Sequence, residues 1–421
     1  MKILLVNQCF YPDVVSTAQH LTDLALELTR CGHAVTVLAG RRGYDNPALC
    51  FARKEVWRGI SIVRIPSTGL GKRNRFSRAV DFGSFLTSCF ARMLFFPKFD
   101  AVVALTSPPL ISFLAALFAW IKRERFYFWV MDLNPDEAIS AGWLRKDSVT
   151  AKTLATMLRY SADKAKTLIV LDRFMKERLV AKGVSGEKIY IIPPWSHDLH
   201  TFYSPMGRAA FRAGHGLGSK FVVMYSGNHS PCHPLDTVLQ AARQLANRSD
   251  IHFLFIGGGS EFGNAKAFAR QHALNNMTFL PYQPLDKLAE TLSSADLHVA
   301  VMGDPFTGIV HPCKIYNILS TGIPFLYIGP EDSHIGDILK SIATGRDVYS
   351  ARHGDVESVV DSILEAQRSL KEGKRNNLQE LAKCYSGTNL LPKMVEALGC
   401  TPQTGTKPGI TWNYARLGFP E

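Results

Sequence analysis

The chain has 421 residues, of which 46% are hydrophobic and 20% are charged. This length exceeds what one hydrophobic core usually supports and predicts two domains, and the composition excludes a disordered chain. The formal net charge is +12, and the excess of cations lies in the first half, most of all between Arg41 and Lys98. Such an uneven basic charge indicates an anionic partner or surface.

The eight cysteines show neither a Cys-x-x-Cys motif nor a Cys/His metal spacing, so reduced thiols are expected. The amino terminus starts directly as a strand, without the layout of a signal peptide. Residues 110–121 form the longest apolar stretch, which is too short to span a bilayer. We therefore expect a cytoplasmic protein that contacts a membrane only through its surface.

The first half of the chain alternates short apolar runs with segments whose apolar residues recur at helical spacing, which is typical of a parallel α/β domain. Strands are predicted at residues 3–6, 34–39, 60–65, 101–105, 126–131, 167–171 and 189–192. Helices are predicted around residues 21–28 and at 76–96, 110–121, 150–162 and 174–181.

Pro193 and Pro194 interrupt this pattern, and residues 195–219 are interpreted as the interdomain linker and the entry to the second domain. A second series follows, with strands predicted at 221–225, 252–256, 277–280, 297–301 and 324–328 and helices at 235–245, 265–273, 285–293 and 314–319. Residues 356–398 look entirely helical, and residues 401–421 give no clear signal. The predicted domains are 1–200 and 201–385, with a carboxyl-terminal helix and tail, 386–421, that could return to the first domain.

Two apolar runs end in polar turns where a helix is expected to begin, at residues 126–137 and 308–324. Each turn lies late in its own strand–helix series. Ligands of open parallel sheets bind at the carboxyl ends of the strands. Two such turns therefore predict a two-domain enzyme whose ligand lies between the domains.

An ordered set of short motifs resembles the GT-B glycosyltransferases, in particular the retaining family 4. In the first half the motifs lie at residues 10–13 (Phe-Tyr-Pro-Asp), 22–25, 32–37, 132–136 with Gly142, 169–171 and 188–193. In the second half they lie at residues 225–228 (Tyr-Ser-Gly-Asn), 255–259, 295–296 and 320–324. No single motif is specific, and the resemblance depends on their order over nearly the whole chain.

The resemblance implies two Rossmann-like, doubly wound α/β domains that face a central cleft. It also implies transfer of a sugar from a nucleotide-sugar with retention at the anomeric carbon, the nucleotide on the second domain and the acceptor on the first. Such enzymes need no metal or other cofactor. The sequence agrees, because it contains no Asp-x-Asp triplet that would hold a divalent ion against a diphosphate.

Lys314 is predicted to open a helix, where free amide donors, the helix dipole and the lysine charge would suit a diphosphate. The alternative is a solvated lysine at an ordinary helix start. His233 would donate to phosphate, more strongly when protonated, or would belong only to a turn. The remaining candidate donor-binding residues are Gly227, Asn228, Gly257, Gly258, Tyr282, Thr307, Gly308, Ile309, Val310 and Asn317.

The chain departs from the family at several of these positions. The family usually carries two glutamates eight positions apart, and the resemblance places Ile309 and Asn317 there. Asn317 can still bond a ribose hydroxyl, whereas Ile309 cannot replace a carboxylate. Either backbone groups at 307–310 hold the sugar, or the chain belongs to a divergent subgroup, or activity is lost. The family's phosphate-binding arginine and lysine correspond to Asn228 and His233.

The candidate acceptor residues lie in the first half. Asp132 follows a predicted strand, where a carboxylate can orient or activate an acceptor hydroxyl. Asn134, Asp136 and Glu137 follow it, although Asp136 could equally help to start a helix. The resemblance also implies that the leaving phosphate can take the acceptor proton, so that no protein base is required.

The first loop contributes three further acceptor candidates. Ser16 and Thr17 are interpreted chiefly as helix caps, although their hydroxyls could also donate to phosphate. His20, on the first helix, could face either way. In the family this loop commonly has paired glycines, and Val15 and Ser16 stand in their place.

Residues 72–98 combine basic and aromatic side chains and are predicted to contact anionic lipid at the inner face of the cell membrane. The alternative is a solvated basic helix whose phenylalanines are core. Nucleic acid is not expected as a partner, because no recognition motif accompanies the charge.

The sequence as a whole predicts a cytoplasmic, peripheral glycosyltransferase that uses an NDP-sugar, with UDP favoured, and a lipid-linked or polysaccharide acceptor in surface-glycan assembly. Two alternatives remain open. A sugar-nucleotide epimerase would turn over the donor without an acceptor, and a non-catalytic GT-B partner protein would bind nucleotide without transfer.

Overall fold

The computed structural model describes residues 1–44, 48–70, 75–197, 200–342, 348–372 and 378–400. Residues 72–74 of the predicted membrane segment and the tail 401–421 lie outside the described residues, as do the side chains of Arg75, Phe76 and Arg78. The chain forms two units. One contains residues 1–193 together with the chain from Leu390 onward, and the other contains Pro194–Asn389.

The amino-terminal unit is built on an eight-stranded sheet with the order β3-β4-β2-β1-β5-β6-β7-β8. Its strands are β1 (Lys2–Val6), β2 (Ala34–Gly40), β3 (Lys54–Trp57), β4 (Ile60–Ile65), β5 (Ala101–Ala104), β6 (Arg125–Trp129), β7 (Thr167–Val170) and β8 (Ile189–Ile191). All neighbours pair in parallel except β3 and β4. The central strands are apolar apart from the first residues of β6 and β7, Arg125 and Thr167, because both of their faces are buried.

The described residues before Pro193 form the helices α1 (Ser16–Arg30), α2 (Arg75–Leu94), α3 (Ile111–Lys122), α4 (Asp136–Ser140), α5 (Val149–Lys164) and α6 (Arg173–Ala181). On α1, Leu21, Leu24 and Leu28 recur at helical spacing and are all buried, which is why this amphipathic segment packs on the sheet. No helix among the described residues combines the length and the apolar character needed to cross a bilayer.

The carboxyl-terminal unit has a six-stranded parallel sheet with the order β11-β10-β9-β12-β13-β14. The strands are β9 (Phe221–Asn228), β10 (Ile251–Gly258), β11 (Met277–Leu280), β12 (Leu297–Val301), β13 (Phe325–Ile328) and β14 (Val348–Ala351). Its helices are α7 (Pro205–Gly214), α8 (Asp236–Gln244), α9 (Phe262–Gln271), α10 (Leu288–Ser293), α11 (Lys314–Thr321), α12 (His334–Ser341), α13 (Val356–Lys371) and α14 (Leu378–Cys384).

Apolar clusters cover both faces of this second sheet, so each unit is a doubly wound α/β layer structure, as the sequence predicts. An ion-paired cluster also holds α7 against the sheet. Asp296 accepts from Arg208 and Arg212 and from the backbone amide of Val222.

The structure differs from the interpretation of the sequence in the stretch that precedes the second sheet. The stretch interpreted as a linker contains α7, which begins at Pro205 behind Ser204, whose hydroxyl oxygen accepts from the Gly207 amide at 3.2 Å. The two units divide between Pro193 and Pro194. The segment predicted to be helical, 356–398, contains three helices in the described residues: α13, α14 and α15 (Gly387–Ala397).

The end of the described chain belongs to the amino-terminal unit. Leu390, Met394 and Leu398 are buried there, and the sulfur atom of Cys400 lies 4.0 Å from that of Met1. Residues 390–400 therefore contribute to the core of a unit whose other residues come from the start of the chain.

Candidate active site

Lys314 is the first residue of α11 and the centre of the candidate donor site in the carboxyl-terminal unit. Its Nζ atom is buried, has no hydrogen-bond partner among the described residues, and lies 3.7 Å from the centroid of the Tyr225 ring. Burial lowers the pKa of this amine to about 7, against an ordinary value of 10.5. The alternative of a solvated lysine therefore does not hold, and the arrangement suits an anionic ligand.

Glycines at the ends of β9 and β10 make room for this lysine and for each other. Gly227 has a φ of +141°, and a Cβ atom built there would lie 3.1 Å from Nζ of Lys314. Gly257 pairs with Gly227 across the two strands, and its Cβ would lie 2.0 Å from the Gly227 carbonyl oxygen. These glycines are therefore required for close approach rather than only for a turn.

His233 lies near Lys314 but is not placed to donate to phosphate. Its Nδ1 donates to the carbonyl oxygen of Val301 at 2.8 Å. Burial, assisted by the charge of Lys314, lowers the pKa of the ring to about 3. The ring is neutral near pH 7, so Nε2 carries a lone pair rather than a proton. The predicted donation from a protonated His233 does not fit this geometry.

His229 is a site residue that the sequence did not single out. Its Nδ1 donates to the Gly227 carbonyl oxygen at 3.0 Å, and its backbone amide donates to the Gly258 carbonyl oxygen at 2.7 Å. Burial lowers the pKa of its ring to about 4. His229 thus links the glycine ends of β9 and β10. No feature of the sequence distinguishes it from an ordinary loop histidine.

Two predicted donor residues line the edge of this cluster. Tyr282 is 50% exposed, and its ring lies 3.1 Å from where a Cβ of Gly258 would stand. Asn228 is exposed at the end of β9, and its carbonyl oxygen accepts from the Tyr225 hydroxyl at 2.7 Å. The exposed Tyr282 ring and the Asn228 amide are therefore near the glycine loop and accessible to a ligand.

The loop before α11 offers fewer backbone donors than predicted. The amides of Ile309 and Val310 both donate to the Phe306 carbonyl oxygen, at 2.9 and 3.2 Å. The Ile309 side chain is itself buried. These two amides are therefore engaged within the protein, and Thr307 and Gly308 (φ +67°) remain the backbone candidates for holding a sugar.

Asn317 lies on α11, one turn beyond Lys314. Its side-chain oxygen accepts from the His197 backbone amide at 3.3 Å. The amide NH₂ group is then the part of Asn317 suited to donate to a ribose hydroxyl.

Asp132 follows β6 in the amino-terminal unit. Burial, reinforced by the charge of Glu137, raises the pKa of its carboxyl to about 8. Asn134 donates to Glu137 through its side-chain amide at 3.1 Å. These three residues form one polar group at the carboxyl edge of the sheet. With this pKa the Asp132 carboxyl is mostly protonated at pH 7, where it is able to donate a hydrogen bond, and it ionises as the pH rises through about 8.

The side chain of Asp136 forms an ion pair within the protein, so it is less available to an acceptor than predicted. It begins α4, and one of its carboxylate oxygens forms an ion pair with Lys182 at 2.9 Å. Lys182 lies at the end of α6, so the pair joins two segments of the unit. The predicted acceptor role of Asp136 is therefore weaker than that of Asp132.

The predicted capping by Ser16 and Thr17 is wrong. Helix α1 begins at Ser16, and its N-cap is Val15, whose side chain cannot accept a hydrogen bond. Ser16 is exposed and Thr17 is partly exposed. His20 is buried, and its Nδ1 donates to the Ser16 carbonyl oxygen at 2.8 Å. The two hydroxyls are thus accessible, whereas His20 faces the interior.

Comparisons with known proteins agree with this architecture. The family described as "Glycosyl transferase 4-like domain" matches residues 17–195, and "Glycosyl transferases group 1" matches residues 208–325. A putative colanic acid biosynthesis glycosyl transferase, WcaI of Escherichia coli K12, is 24% identical over 341 residues, which cover 76% of this chain and 82% of that protein. The probable glycosyltransferase WbjE of Pseudomonas aeruginosa is 23% identical over 282 residues, covering 67% of this chain and 70% of that protein.

Solved structures share the fold at low sequence identity. Anabaena Alr3699/HepE, in complex with UDP and glucose, has a TM-score of 0.71 and 14% identity and covers 95% of this chain and 100% of its own. WaaG, a glycosyltransferase involved in lipopolysaccharide biosynthesis, has a TM-score of 0.68 and 13% identity and covers 94% and 99%. The predicted GT-B fold is thereby confirmed.

Two doubly wound units, one with a buried lysine at a helix start and one with a carboxyl group at its strand ends, define a glycosyltransferase of the GT-B fold. Because glycosyltransferase families match most of its length, the chain belongs to the family 4-like GT-B glycosyltransferases. The chain is therefore an enzyme, as the sequence predicts.

Proposed function

We propose that this enzyme transfers a sugar from an NDP-sugar, with UDP as the favoured nucleotide, to a lipid-linked or polysaccharide acceptor in surface-glycan assembly. The observation that carries the proposal is the buried Nζ of Lys314, without a hydrogen-bond partner in the described part of the chain, at the start of α11. UDP is favoured because Alr3699/HepE was solved with UDP. The acceptor class is favoured because WcaI and WaaG are named for polysaccharide and lipopolysaccharide synthesis.

In this proposal Lys314 binds the diphosphate of the donor. A diphosphate beside the amine would favour its charged form and supply the hydrogen-bond acceptors that it lacks. The amide groups at the start of α11 point in the same direction as the helix dipole and would add to the attraction. The lysine supplies the positive charge, so the proposed reaction requires no metal ion or other cofactor.

The glycine ends of β9 and β10 would admit the donor, and Tyr282 would contact its base. Asn317 would bond a ribose hydroxyl through its NH₂ group. Because Ile309 replaces a carboxylate, Thr307 and Gly308 would hold the sugar. Stabilising charge that develops on the leaving diphosphate is the principal catalytic effect expected here.

Asp132 would position the acceptor hydroxyl in the amino-terminal unit, with Asn134 and Glu137 beside it. Ser16 and Thr17 are the accessible hydroxyls of the first loop. Retention at the anomeric carbon is proposed with the leaving phosphate taking the acceptor proton. Asp132, protonated below about pH 8, would then act first by hydrogen bonding rather than as a base.

We also propose that the enzyme works at the cytoplasmic face of the membrane through the basic and aromatic residues 72–98. Phe95, at 79% exposure, lies in this segment. Exposed aromatic groups beside lysine and arginine suit the interface of an anionic bilayer.

Nucleotide release from a panel of UDP-, GDP- and ADP-sugars, with and without a bacterial lipid extract, tests the proposal. Acceptor-dependent release from one donor would support transfer and identify the nucleotide. Donor turnover without acceptor would support the epimerase alternative. Nucleotide binding without release from any donor would support a non-catalytic partner protein.

Lys314→Met serves as the test variant, and Lys287→Met, at an exposed surface pair with Glu290, is its matched control. Losing one charge-assisted bond is expected to weaken UDP binding roughly ten- to a hundredfold. Binding of uridine, which lacks phosphate, should not change. Equal effects on UDP and uridine would contradict phosphate binding by Lys314.

A further inference from the structure

A cavity of about 620 Å³ lies in the amino-terminal unit where α3 ends and β6 begins. We call it the edge pocket. The residues that line it include Trp120, Ile121, Arg123, Glu124, Phe126 and Lys164. Asp132 follows the carboxyl end of β6, whereas the edge pocket opens at the amino end of the same strand. The edge pocket is therefore separate from the acceptor residues discussed above.

Large apolar side chains are exposed around the edge pocket, on the ends of α2 and α3. They are Leu94, Phe95, Trp120 and Ile121. Trp120 is 62% exposed, and the two helix ends are linked because Nζ of Lys122 donates to the Phe96 carbonyl oxygen at 3.4 Å. One exposed apolar residue is ordinary, but Trp120 and Ile121 give the edge pocket an apolar rim. Leu94 and Phe95 add exposed apolar surface on the adjoining segment, which suits a non-aqueous partner.

The cations of this region are exposed while its acidic groups are engaged. Arg123 and Lys164 are exposed at the edge pocket itself. Glu124 accepts from the Phe99 backbone amide at 2.7 Å, and burial raises the pKa of its carboxyl. Asp100 accepts from the Lys2 backbone amide, also at 2.7 Å. Lys122 and Lys98 also lie close enough to act on the Glu124 carboxyl, so cations outnumber carboxylates at this end of the unit.

Arg123 occupies a position that normally favours glycine. It is the C-cap of α3 and has a left-handed φ of +55°. Glycine adopts this conformation without steric cost, whereas other residues are disfavoured there. The arginine places a guanidinium at the edge pocket, although a glycine would end the helix there without strain.

An apolar rim with an aromatic residue at the interface and cations just beneath it matches the chemistry of an anionic bilayer surface. We propose that the edge pocket receives the phosphate group of an anionic membrane lipid, with Arg123 and Lys164 as its ligands and Trp120 and Phe95 entering the interface. The proposal rests on the proposed membrane location of the enzyme and adds a second contact surface to residues 72–98.

Binding of the full chain to vesicles, measured without donor or acceptor, tests this proposal. Vesicles of phosphatidylglycerol mixed with phosphatidylcholine are compared with vesicles of phosphatidylcholine alone. Arg123→Gly is the sharpest variant, because it removes the guanidinium at a backbone position where glycine is unstrained. Arg123→Gly and Lys164→Gln should each weaken binding to the anionic vesicles about fivefold. Trp120→Ala should weaken it roughly tenfold, whereas Phe95→Ala reports on residues 72–98.

The matched controls lie in the carboxyl-terminal unit, where Arg270→Gln removes an exposed cation and Phe202→Ala an exposed aromatic ring. Neither should change vesicle binding. Quenching of Trp120 fluorescence by brominated lipid, compared with Trp120→Phe, reports insertion directly.

Unchanged vesicle binding in the edge-pocket variants, with unchanged thermal unfolding, would overturn the proposal. Loss of binding only on neutralising Lys72 and Arg73 would assign the contact to residues 72–98 instead. Absence of binding to every vesicle would overturn both surfaces. Nucleotide-sugar turnover, assayed separately with soluble acceptors, would still decide the transferase proposal in each case.

Discussion

The binding of UDP is expected to depend on pH through Lys314. The amine is buried over the Tyr225 ring, and its pKa is lowered to about 7. A bound diphosphate would restore the charged form, so nucleotide binding above pH 7 should take up a proton. Since the pKa of the Lys314 amine is lower in the empty site than in the complex, UDP binds with its highest affinity below about pH 7. Its affinity falls as the pH rises above that value.

The magnitude follows from the fraction of amine that carries its proton. With a pKa of about 7, roughly a tenth is protonated at pH 8 and a hundredth at pH 9, so Kd for UDP should rise about tenfold per pH unit. The neighbouring groups do not titrate in this range. His229 and His233 have pKa values lowered to about 4 and 3, and burial raises the pKa of Tyr225 well above 10.

Isothermal titration calorimetry between pH 6.5 and 9, in buffers with different ionisation enthalpies, measures both the Kd for UDP and the proton uptake on binding. Proton uptake should approach one per UDP bound at the upper end of this range. Lys314→Met should bind UDP more weakly at pH 7 and show neither the proton uptake nor the slope. A constant Kd in the wild-type protein, or the same slope in Lys314→Met, would refute the assignment of a neutral, buried amine.

Gly227→Ala is expected to weaken UDP binding by about 1–3 kcal/mol, because φ at Gly227 is +141° and the new methyl group would displace Lys314. Titration with UDP measures this effect. Gly263→Ala is the control, because no atom lies within 4 Å of a Cβ placed there. Asp132→Asn should leave donor binding intact and slow acceptor-dependent transfer only modestly below about pH 8, where both side chains are neutral hydrogen-bonding groups. It should also abolish the change in rate that ionisation of the native carboxyl produces near pH 8, and a wild-type pH–rate profile would argue against the role of Asp132. Asp296→Asn should lower the free energy of unfolding by about 3–5 kcal/mol, since it leaves two partly buried arginines without their carboxylate. Urea denaturation measures this, and Glu290→Gln, at an exposed pair, should cost under about 1 kcal/mol.

Much of the fold could be predicted because parallel strands that are buried on both faces appear in the sequence as continuous apolar runs. The segments that were missed lack that signature. β3 is a four-residue edge strand that begins with lysine and glutamate and contains no buried residue, so its sequence resembles a loop. α7 was assigned to a linker although Ser204 and Pro205 form an ordinary helix start. In that case the signal was present and was outweighed by the surrounding glycine and proline.

The donor site was only partly predictable. The spacing around Lys314 indicated a helix start, but its burial depends on Gly227 and Tyr225, which approach it only when β9 and α11 are assembled. The same holds for His233, whose bond to Val301 joins residues 68 positions apart. Local sequence therefore identified which groups are present, whereas their protonation is set by distant neighbours.

The amino-terminal unit is discontinuous, because residues 390–400 supply buried side chains to a core that begins at Met1. During synthesis the amino-terminal unit cannot complete its folding until its last helix has been made. That helix follows nearly all of the carboxyl-terminal unit in the sequence. A fragment ending at Pro193 would expose the apolar surface that Leu390, Met394 and Leu398 cover. Dissection of the enzyme into halves should therefore join the terminal segment to the first half through a linker, and circular permutation near residue 390 should yield two contiguous units.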